Sequence, residues 1–264
     1  MKMTIESDKN PKIKKLLKLI EKSRERKIQN KIIVEGVQEN FFALQNNYDP
    51  IEFFIQTSIF QNNINIPKNI QIYEVSKQVY SKIAYRQSTE GIVGVYRQKE
   101  EELKNIKLKK DPFLVIIESI EKPGNLGAIC RSVDAFGVDY LFVCDEKVDI
   151  YNPNVIRSSV GSVFNVPIIH VANQELHEFL KDRKINTYAT FMNMDFKEIR
   201  EISLDQSTAI IFGTEHSGVS NFWKDKITEN ILIPMQGKVD SLNISNAVSI
   251  SCYEVQRQRG INKK

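Results

Sequence analysis

The stretch FLVIIESIEKPGNLGAICR, which runs from Phe113 to Arg131, decides the fold of the larger part of the chain. It begins with five consecutive apolar residues, a pattern typical of a strand that is buried on both faces of a parallel sheet. A Pro-Gly turn follows, and apolar residues at helical spacing then indicate a helix over residues 126–136. A buried strand that turns directly into a helix is the repeating unit of layered α/β domains.

The same alternation continues after this stretch. Further apolar runs that predict strands lie at residues 140–143, 187–190, 209–212 and 231–233. Segments that predict helices lie at residues 154–159, 174–183 and 244–258. We therefore expect a mostly parallel sheet with helices on both faces.

The part of the chain before this stretch predicts a second, smaller α/β domain over residues 30–96. Its expected strands lie at residues 32–34, 52–55, 70–73 and 92–95, with helices around residues 41–44 and 75–85. Residues 97–111 are almost entirely charged and close on Asp-Pro, so we expect a linker there. The larger domain then covers residues 112–264 and an N-terminal extension covers residues 1–29.

Positive charge is concentrated in this N-terminal extension. The net charge of the chain is only +4, but the segment from Lys9 to Lys31 holds ten Lys or Arg residues and two acidic residues. The spacing predicts a basic amphipathic helix over residues 11–27, with one apolar face formed by Ile13, Leu16, Leu17 and Ile20. Two interpretations stay open: the helix docks on the body by its apolar face, or it also contacts RNA phosphates.

The cysteines and the first residues of the sequence indicate the cellular compartment that we expect for the protein. The three cysteines form no C-x-x-C pair, which argues against a disulfide framework and against a zinc site. The start MKMTIESDKNPKIKK lacks the apolar core of a signal peptide, and no apolar run is long enough to cross a membrane. We therefore expect a soluble cytoplasmic protein that uses neither a metal nor a membrane.

Three polar segments follow predicted strands, where ligands bind in sheets of this kind. The first contains Asn125, Gly127 and Arg131, and we expect Asn125 to cap the helix that begins there. It has neither the G-x-G-x-x-G pattern of dinucleotide sites nor the Gly-Lys-Ser/Thr of phosphate-binding loops. By itself it is more typical of an ordinary strand-turn-helix with a surface arginine.

The other two segments are also ambiguous when taken alone. The second runs from Gly213 to Gly218 and carries Glu215 and His216. A lone histidine in a polar loop is more often a surface residue than a general base. The third, IPMQGKVDSLN, begins at Ile233 and leads into the last helix, which Ser241 or Asn243 would cap.

Taken in order, the three segments resemble the signature motifs of the SpoU (TrmH) family of RNA 2′-O-ribose methyltransferases, of the SPOUT superfamily. The family's Asn-x-Gly-x-x-x-Arg is matched by Asn125, Gly127 and Arg131. Its Gly-x-Glu-x-x-Gly is matched by Gly213, Glu215 and Gly218. Its Ile-Pro-Met and Ser-Leu-Asn-x-Ser-x-Ala are matched by Ile233, Pro234, Met235, Ser241, Leu242, Asn243, Ser245 and Ala247. The resemblance covers about 150 residues, and residues 34–36 and 89–95 are similar to the RNA substrate-binding domain that often precedes it.

The resemblance implies a fold and a cofactor. Members of the family have a C-terminal trefoil knot, form homodimers with the active site near the subunit interface, and bind S-adenosyl-L-methionine in the knotted loops. By motif position, the cofactor-binding residues would be Thr190, Gly213, Ile233, Met235 and Leu242.

The resemblance also assigns catalytic residues. Arg131 corresponds to the catalytic arginine, which is usually taken as the base, and the residues that position it and the ribose would be Asn125, Glu215, Ser241 and Asn243. An arginine side chain is essentially always protonated, however, because its pKa lies above about 12. Arg131 can instead bind a phosphate and stabilise the developing alkoxide.

The implied activity is methylation of a ribose 2′-hydroxyl in RNA. The N-terminal domain favours 23S ribosomal RNA, with guanosine as the preferred nucleoside, and transfer RNA is the first alternative. A non-catalytic RNA-binding ribosome-assembly factor is the second, against which the intact Arg131, Asn125 and Asn243 argue. A nucleotide-dependent dehydrogenase lacks its glycine pattern.

Overall fold

The computed structural model describes residues 4–61, 64–84, 90–191, 194–214 and 217–260. The chain splits into two compact units. The N-terminal unit comprises Met1–Lys99 and Asp149–Asn165, and the C-terminal unit comprises Glu100–Val148 and Val166–Lys264.

Both units alternate strands and helices. In chain order, the strands of the described residues are β1 (Thr4–Ile5), β2 (Lys31–Glu35), β3 (Pro50–Ile55), β4 (Gln71–Val75), β5 (Ile92–Arg97), β6 (Phe113–Glu118), β7 (Tyr140–Cys144), β8 (Ile168–His170), β9 (Asn186–Ala189), β10 (Lys197–Glu198), β11 (Thr208–Phe212) and β12 (Glu229–Leu232). The α-helices are α1 (Pro11–Glu21), α2 (Ser23–Gln29), α3 (Val37–Gln45), α4 (Lys77–Ile83), α5 (Pro123–Ala135), α6 (Pro153–Ser158), α7 (Asn173–Asp182) and α8 (Ile244–Gln258).

The N-terminal unit contains a five-stranded sheet in the order β1-β4-β3-β5-β2. The pairs β1–β4 and β3–β4 are parallel, whereas β3–β5 and β2–β5 are antiparallel. Apolar side chains of α1 and α4 pack on this sheet and include Ile13, Leu16, Leu19, Val79, Tyr80 and Ile83. The small α/β unit that the sequence predicts is therefore present.

The basic N-terminal segment forms two helices rather than the single one predicted. The chain is extended at Lys22, and the side chain of Arg26 in α2 turns back towards the end of α1. Its Nη1 donates to the carbonyls of Leu19 and Ile20 at 2.7 and 3.1 Å, and its guanidinium pairs with Asp149 at 2.7 Å. Because the last carbonyls of a helix have no partner within it, this buried arginine supplies the donors that let α1 end there.

The C-terminal unit contains a seven-stranded sheet in the order β10-β12-β9-β11-β6-β7-β8. All of its strand pairs in the described residues are parallel, which confirms the predicted sheet type. The central strands β6 and β11 are buried on both faces, as their continuous apolar sequences predict. Strands β8 and β10 were not predicted, because three and two residues are too few to carry a pattern.

Two segments lie elsewhere than the sequence suggested. Leu103, in the expected linker, is buried in the core of the C-terminal unit, and Glu101 forms a β-bridge with Ile169. Residues 97–111 are therefore anchored to that unit through Leu103 and Glu101, although most of their side chains are exposed. Asp149–Asn165, expected in the larger domain, belongs to the N-terminal unit, where Asn46 donates to Asn165 at 2.8 Å.

Membrane-crossing helices and metal-binding clusters are both absent from the described residues. No helix there has both the length and the apolar character that a membrane crossing requires. No group of three His, Cys, Asp or Glu side chains in that part of the chain is arranged to hold a metal ion.

Candidate functional site

A cavity of about 360 Å³ opens at the carboxyl edge of the C-terminal sheet, where β9, β11 and β12 end. Its walls come from the loops that follow these strands and from the segment that leads into α8. The five residues predicted to bind the cofactor all line this one cavity: Thr190, Gly213, Ile233, Met235 and Leu242. Parallel strands put their carboxyl ends on the same edge, which is why segments distant in sequence meet here.

The rest of the described lining is mainly apolar. It includes three phenylalanines that the motif comparison did not predict: Phe191, Phe196 and Phe212. Phe196 and Met235 are 50% and 38% exposed, so both lie towards the open side. Asp240 is the charged residue among the described lining residues. Such a lining suits a flat apolar ring system joined to a positively charged group.

Position 213 requires glycine because the backbone of Gly218 approaches it closely. Thr214 and Gly218 exchange two backbone hydrogen bonds of 3.0 and 3.1 Å, so the loop folds back on itself. A Cβ atom at Gly213 would lie 1.9 Å from the carbonyl oxygen of Gly218, which no real side chain tolerates. Any residue other than glycine would therefore open this wall. The predicted catalytic Glu215 and its neighbour His216 lie outside the described residues.

Asn243 joins the first motif to the third. It is the N-cap of α8, as predicted, and its Oδ1 accepts from the backbone N–H of Ser245 at 2.9 Å. Its Nδ2 donates to Oδ1 of Asn125 at 3.2 Å. Two of the predicted catalytic residues, far apart in sequence, are thus in direct contact, while Ser241 lines the cavity.

The prediction that Asn125 caps its helix is wrong. Helix α5 begins at Pro123, and its N-cap is Lys122, which makes no side-chain cap bond. Proline has a fixed φ and no N–H, so it favours the first helical position and starts the helix earlier than the apolar pattern suggested. Asn125 therefore lies in the first turn, where its side-chain oxygen accepts from Asn243 instead.

Arg131 lies on α5, one turn after the buried Gly127, and its side chain is exposed. The structure shows no hydrogen bond or ion pair from it to another described residue, and it does not line the cavity. Helices α5 and α8 pack on each other through Ser132 and Ser249, whose hydroxyls are 2.6 Å apart. The structure thus places Ser241 in the cavity lining, joins Asn125 to Asn243 by a hydrogen bond, and exposes Arg131 to solvent on α5.

The cysteines of this unit do not contribute reactive groups. Cys130 directly precedes Arg131, but burial raises the pKa of its thiol to about 12. Burial raises the pKa of Cys144 likewise, to about 12. Both thiols are therefore protonated at neutral pH and take no part in nucleophilic chemistry.

Comparisons with known proteins match two parts of the chain to two different family models. Residues 112–253 match the family model described as the SpoU rRNA Methylase family, and residues 10–94 match an MRM3-like substrate binding domain. The chain is 28% identical over 256 residues to the Bacillus subtilis (strain 168) 23S rRNA (guanosine(2553)-2′-O)-methyltransferase RlmP, covering 96% of this chain and 98% of that protein.

Solved structures are similar over almost the whole chain. A crystal structure of an RNA 2′-O ribose methyltransferase is 31% identical with a TM-score of 0.84, covering 97% of this chain and 99% of that one. The AdoMet-bound rRNA methyltransferase from Sinorhizobium meliloti has a TM-score of 0.87, with 97% of each chain covered. At 22% identity the latter likeness shows the fold alone.

Proposed function

The chain belongs to the SpoU rRNA methylase family, and we infer that it is an enzyme that methylates a ribose 2′-hydroxyl of ribosomal RNA with S-adenosyl-L-methionine. The observation that carries this assignment is the cavity, because three separate segments of the chain bring all five predicted cofactor residues to it. We propose 23S ribosomal RNA as the substrate and guanosine as the nucleoside, as the name of the Bacillus subtilis relative states for that protein.

The residues at the cavity fit the cofactor. Its volume of about 360 Å³ lies within the range of small-molecule sites, and its apolar lining suits an adenine ring. The glycine at position 213 lets backbone form one wall. We propose that Thr190, Ile233, Met235 and Leu242 hold the rest of the molecule. When bound, S-adenosyl-L-methionine supplies a methyl group on a positively charged sulfur.

We propose that Arg131 acts by charge and not as a base. A guanidinium is a poor base, because it has no lone pair with which to accept the hydroxyl proton. Its exposure on α5 leaves its donors available to a phosphate of the RNA. A fixed positive charge there also stabilises the negative charge that develops on the ribose oxygen.

Asn125, Ser241 and Asn243 would then position the ribose. The hydrogen bond from Asn243 to Asn125 fixes the starts of α8 and α5 relative to each other. Ser241 adjoins Leu242 in the cavity wall and carries a hydroxyl to the same edge. We assign Glu215 to orienting the guanidinium of Arg131, since a carboxylate and a guanidinium form paired hydrogen bonds.

We propose that the last segment of the chain forms the family's trefoil knot. Strand β12 lies beside β9, on the far side of β11 from β6. Helix α8, which follows β12, nevertheless packs on α5, which follows β6. Residues 233–243 must therefore cross the carboxyl edge of β9 and β11, where the cavity loops lie, and this crossing supports a knotted path.

We also propose that the protein is a homodimer. Ile250 and Tyr253 on α8 are 40% and 51% exposed, and Tyr253 makes an edge contact with Phe136 at the end of α5. Exposed apolar side chains on the helices that carry the catalytic residues suit a second copy of the chain. Light scattering should give twice the chain mass of 30.5 kDa, and a monomer at micromolar concentration would contradict the proposal.

The N-terminal unit would hold the RNA. The outer side of its basic helices carries Lys14, Lys15, Lys18, Lys22 and Arg24, all exposed. No acidic residue lies in the first turn of α1, although the helix dipole favours one there. A phosphate backbone supplies the missing negative charge. An rRNA substrate implies a cytoplasmic location.

The activity is tested by incubating purified protein with total RNA and S-adenosyl-L-methionine labelled on the methyl group. A 2′-O-methylated ribose resists alkaline cleavage, so the label should appear in a dinucleotide after alkaline hydrolysis of ribosomal RNA. Label confined to transfer RNA would move the assignment to the alternative substrate. No label on any RNA, precursor ribosomal RNA included, would rule out the enzyme and leave the RNA-binding assembly factor.

A further inference from the structure

Two buried polar side chains outside the motifs hold the loops that form the cavity. Glu118 at the end of β6 and Asn230 in β12 are each 3% exposed, and neither lines the cavity. We propose that both are positioning residues, which fix the cavity loops before S-adenosyl-L-methionine binds. The proposal rests on the cofactor assignment made above.

Glu118 holds the loop that follows β11. Its Oε2 accepts from the backbone N–H of Ser220 at 2.8 Å, and its Oε1 accepts from the Ser220 hydroxyl at 2.7 Å. Nδ2 of Asn173, the first residue of α7, also donates to Oε1, at 2.5 Å. Ser220 lies two residues after Gly218, which bonds back to Thr214 in the cavity wall. The carboxylate of Glu118 thus fixes the loop at Ser220, and the same loop forms one wall of the cavity at Thr214 and Gly218.

Asn230 holds the loop that follows β9. Its Oδ1 accepts from the backbone N–H of Phe191 at 2.8 Å, and its Nδ2 donates to the carbonyl of Phe191 at 3.0 Å. The same Nδ2 donates to the carbonyl of Asp195 at 3.2 Å. Phe191 and Phe196 both line the cavity, so this one amide fixes the loop next to each of them.

These contacts have a physical consequence for binding. Loop backbone cannot satisfy its own polar groups as a helix does, so buried loop N–H and C=O groups need partners from elsewhere. Glu118 and Asn230 supply those partners from the chain itself. If the loops were unanchored, only a fraction of molecules would have the binding-competent arrangement, and the apparent Kd would rise by the inverse of that fraction.

Isosteric variants isolate this role. Glu118→Gln replaces an acceptor by an amide donor where every described partner is a donor. Asn230→Asp replaces the donor that faces two carbonyls by a carboxylate oxygen. Ser220→Ala removes only the hydroxyl and keeps the backbone N–H, so it is the milder third variant.

Calorimetric titration with S-adenosyl-L-methionine and with S-adenosylhomocysteine, well below the unfolding temperature, measures the effect. Glu118→Gln and Asn230→Asp should each weaken both ligands about tenfold, because anchoring affects the fraction of competent molecules and not the ligand's charge. Ser220→Ala should give a smaller rise in Kd, about threefold. In the transfer assay, KM for the methyl donor should rise while kcat at saturation stays within about twofold.

Gln258→Leu is the matched control. Gln258 accepts from the backbone N–H of Leu204 at 2.7 Å and donates to the carbonyl of Ile202 at 3.0 Å, in a segment that does not line the cavity. It should lower Tm and leave both Kd values unchanged. The contrary result is that the folded anchor variants, Ser220→Ala included, show a lower Tm like this control and still bind both ligands with wild-type Kd values. In that case the residues are merely structural and the proposal is wrong. A wild-type protein that binds neither ligand would instead refute the proposed function.

Discussion

Arg131 combines a permanent charge with an exposed position on the helix that contacts the third motif. In Arg131→Ala that charge is lost, whereas the cavity is intact because Arg131 does not line it. We expect methyl transfer to fall by a factor of about 10² to 10³. The Kd for S-adenosyl-L-methionine should be unchanged, as measured by titration of the same preparations.

Arg131→Lys separates charge from geometry. A lysine keeps the positive charge but cannot form the planar double contact with a phosphate that a guanidinium forms. Activity between those of the wild type and Arg131→Ala is expected. Unchanged turnover in Arg131→Ala would contradict the role assigned to this side chain.

The three cysteines give a second prediction for single residues. Burial raises the pKa of Cys130 and Cys144 to about 12 and raises that of Cys252 as well. An aromatic disulfide reagent at pH 8 should therefore titrate no thiol in the native protein and three after unfolding in guanidinium. Rapid reaction of one thiol in the native state would show that this site is open to solvent.

The motifs allowed the residues of the cavity to be predicted only in part. Thr190, Gly213 and Leu242 were predicted by position in a motif, through family resemblance. Phe191 and Phe196 were not, because the family resemblance points only to Thr190 in the loop after β9, and only the contacts of this loop with β12 show where the two phenylalanines lie. Glu118 was likewise missed, since a single carboxylate after a strand has no distinctive spacing.

At the scale of elements, the pair of Arg26 and Asp149 ties Asp149–Asn165 to the basic helices of the N-terminal unit. The two side chains are 1% and 8% exposed and 2.7 Å apart. Removal of one partner leaves a buried charge, which costs about 3 to 5 kcal/mol. We expect Asp149→Ala to lower the free energy of unfolding by about 3 kcal/mol in urea titrations.

The double variant Arg26→Met with Asp149→Leu provides the comparison. It removes both charges and fills a similar volume. Its free energy of unfolding should therefore be much nearer to that of the wild type than the free energy of unfolding of Asp149→Ala is. Equal losses of unfolding free energy in the single and the double variant would mean that lost contacts, including the bonds from Arg26 to the carbonyls of Leu19 and Ile20, matter more than an unpaired buried charge.

The lysines on α1 allow a prediction about RNA binding. Lys14, Lys15 and Lys18 are exposed, and Lys18 lies one helical turn after Lys14 and Lys15, a spacing at which like charges repel. Replacing all three by Gln should weaken RNA binding about tenfold or more and lower the slope of log K against log salt by about 2 to 3. Thermal stability should not fall, since repulsion is removed.

The matched control replaces Lys110, Lys181 and Lys184 by Gln. All three are exposed and precede strands of the C-terminal sheet, at the edge opposite to the cavity. RNA affinity should be unchanged in this variant. An equal loss in both triple variants would mean that the effect reflects net charge and not a binding surface.

The helices and strands could be predicted from the sequence where they are long and buried. The apolar runs of β6, β7 and β11 predicted strands within one residue of those found, because burial on both faces leaves an unbroken signal. The break at Lys22 carries no proline or glycine and depends on a guanidinium that the folded chain brings there. The amphipathic pattern of α6 predicts a helix but does not say on which unit it packs.

At the scale of the whole molecule, the two units match two different family models. The N-terminal unit contains most of the substrate-binding match, and the C-terminal unit contains most of the methylase match, the cavity and the helices that carry Arg131 and Asn243. A site of this kind modifies one ribose among many, so the selection must come from the RNA contacts and the chemistry from the C-terminal unit. Loss of this protein from cells should therefore remove a specific ribose methylation from RNA.

The measurement that tests this claim most directly is a map of ribose methylation, at single-nucleotide resolution, in RNA from cells with and without the gene for this chain. The account predicts that one 2′-O-methyl group in 23S ribosomal RNA, on a guanosine, is lost without the gene. It should return when the wild-type chain is supplied and stay absent with Arg131→Ala. A profile that is unchanged in ribosomal RNA when the gene is removed would contradict the account.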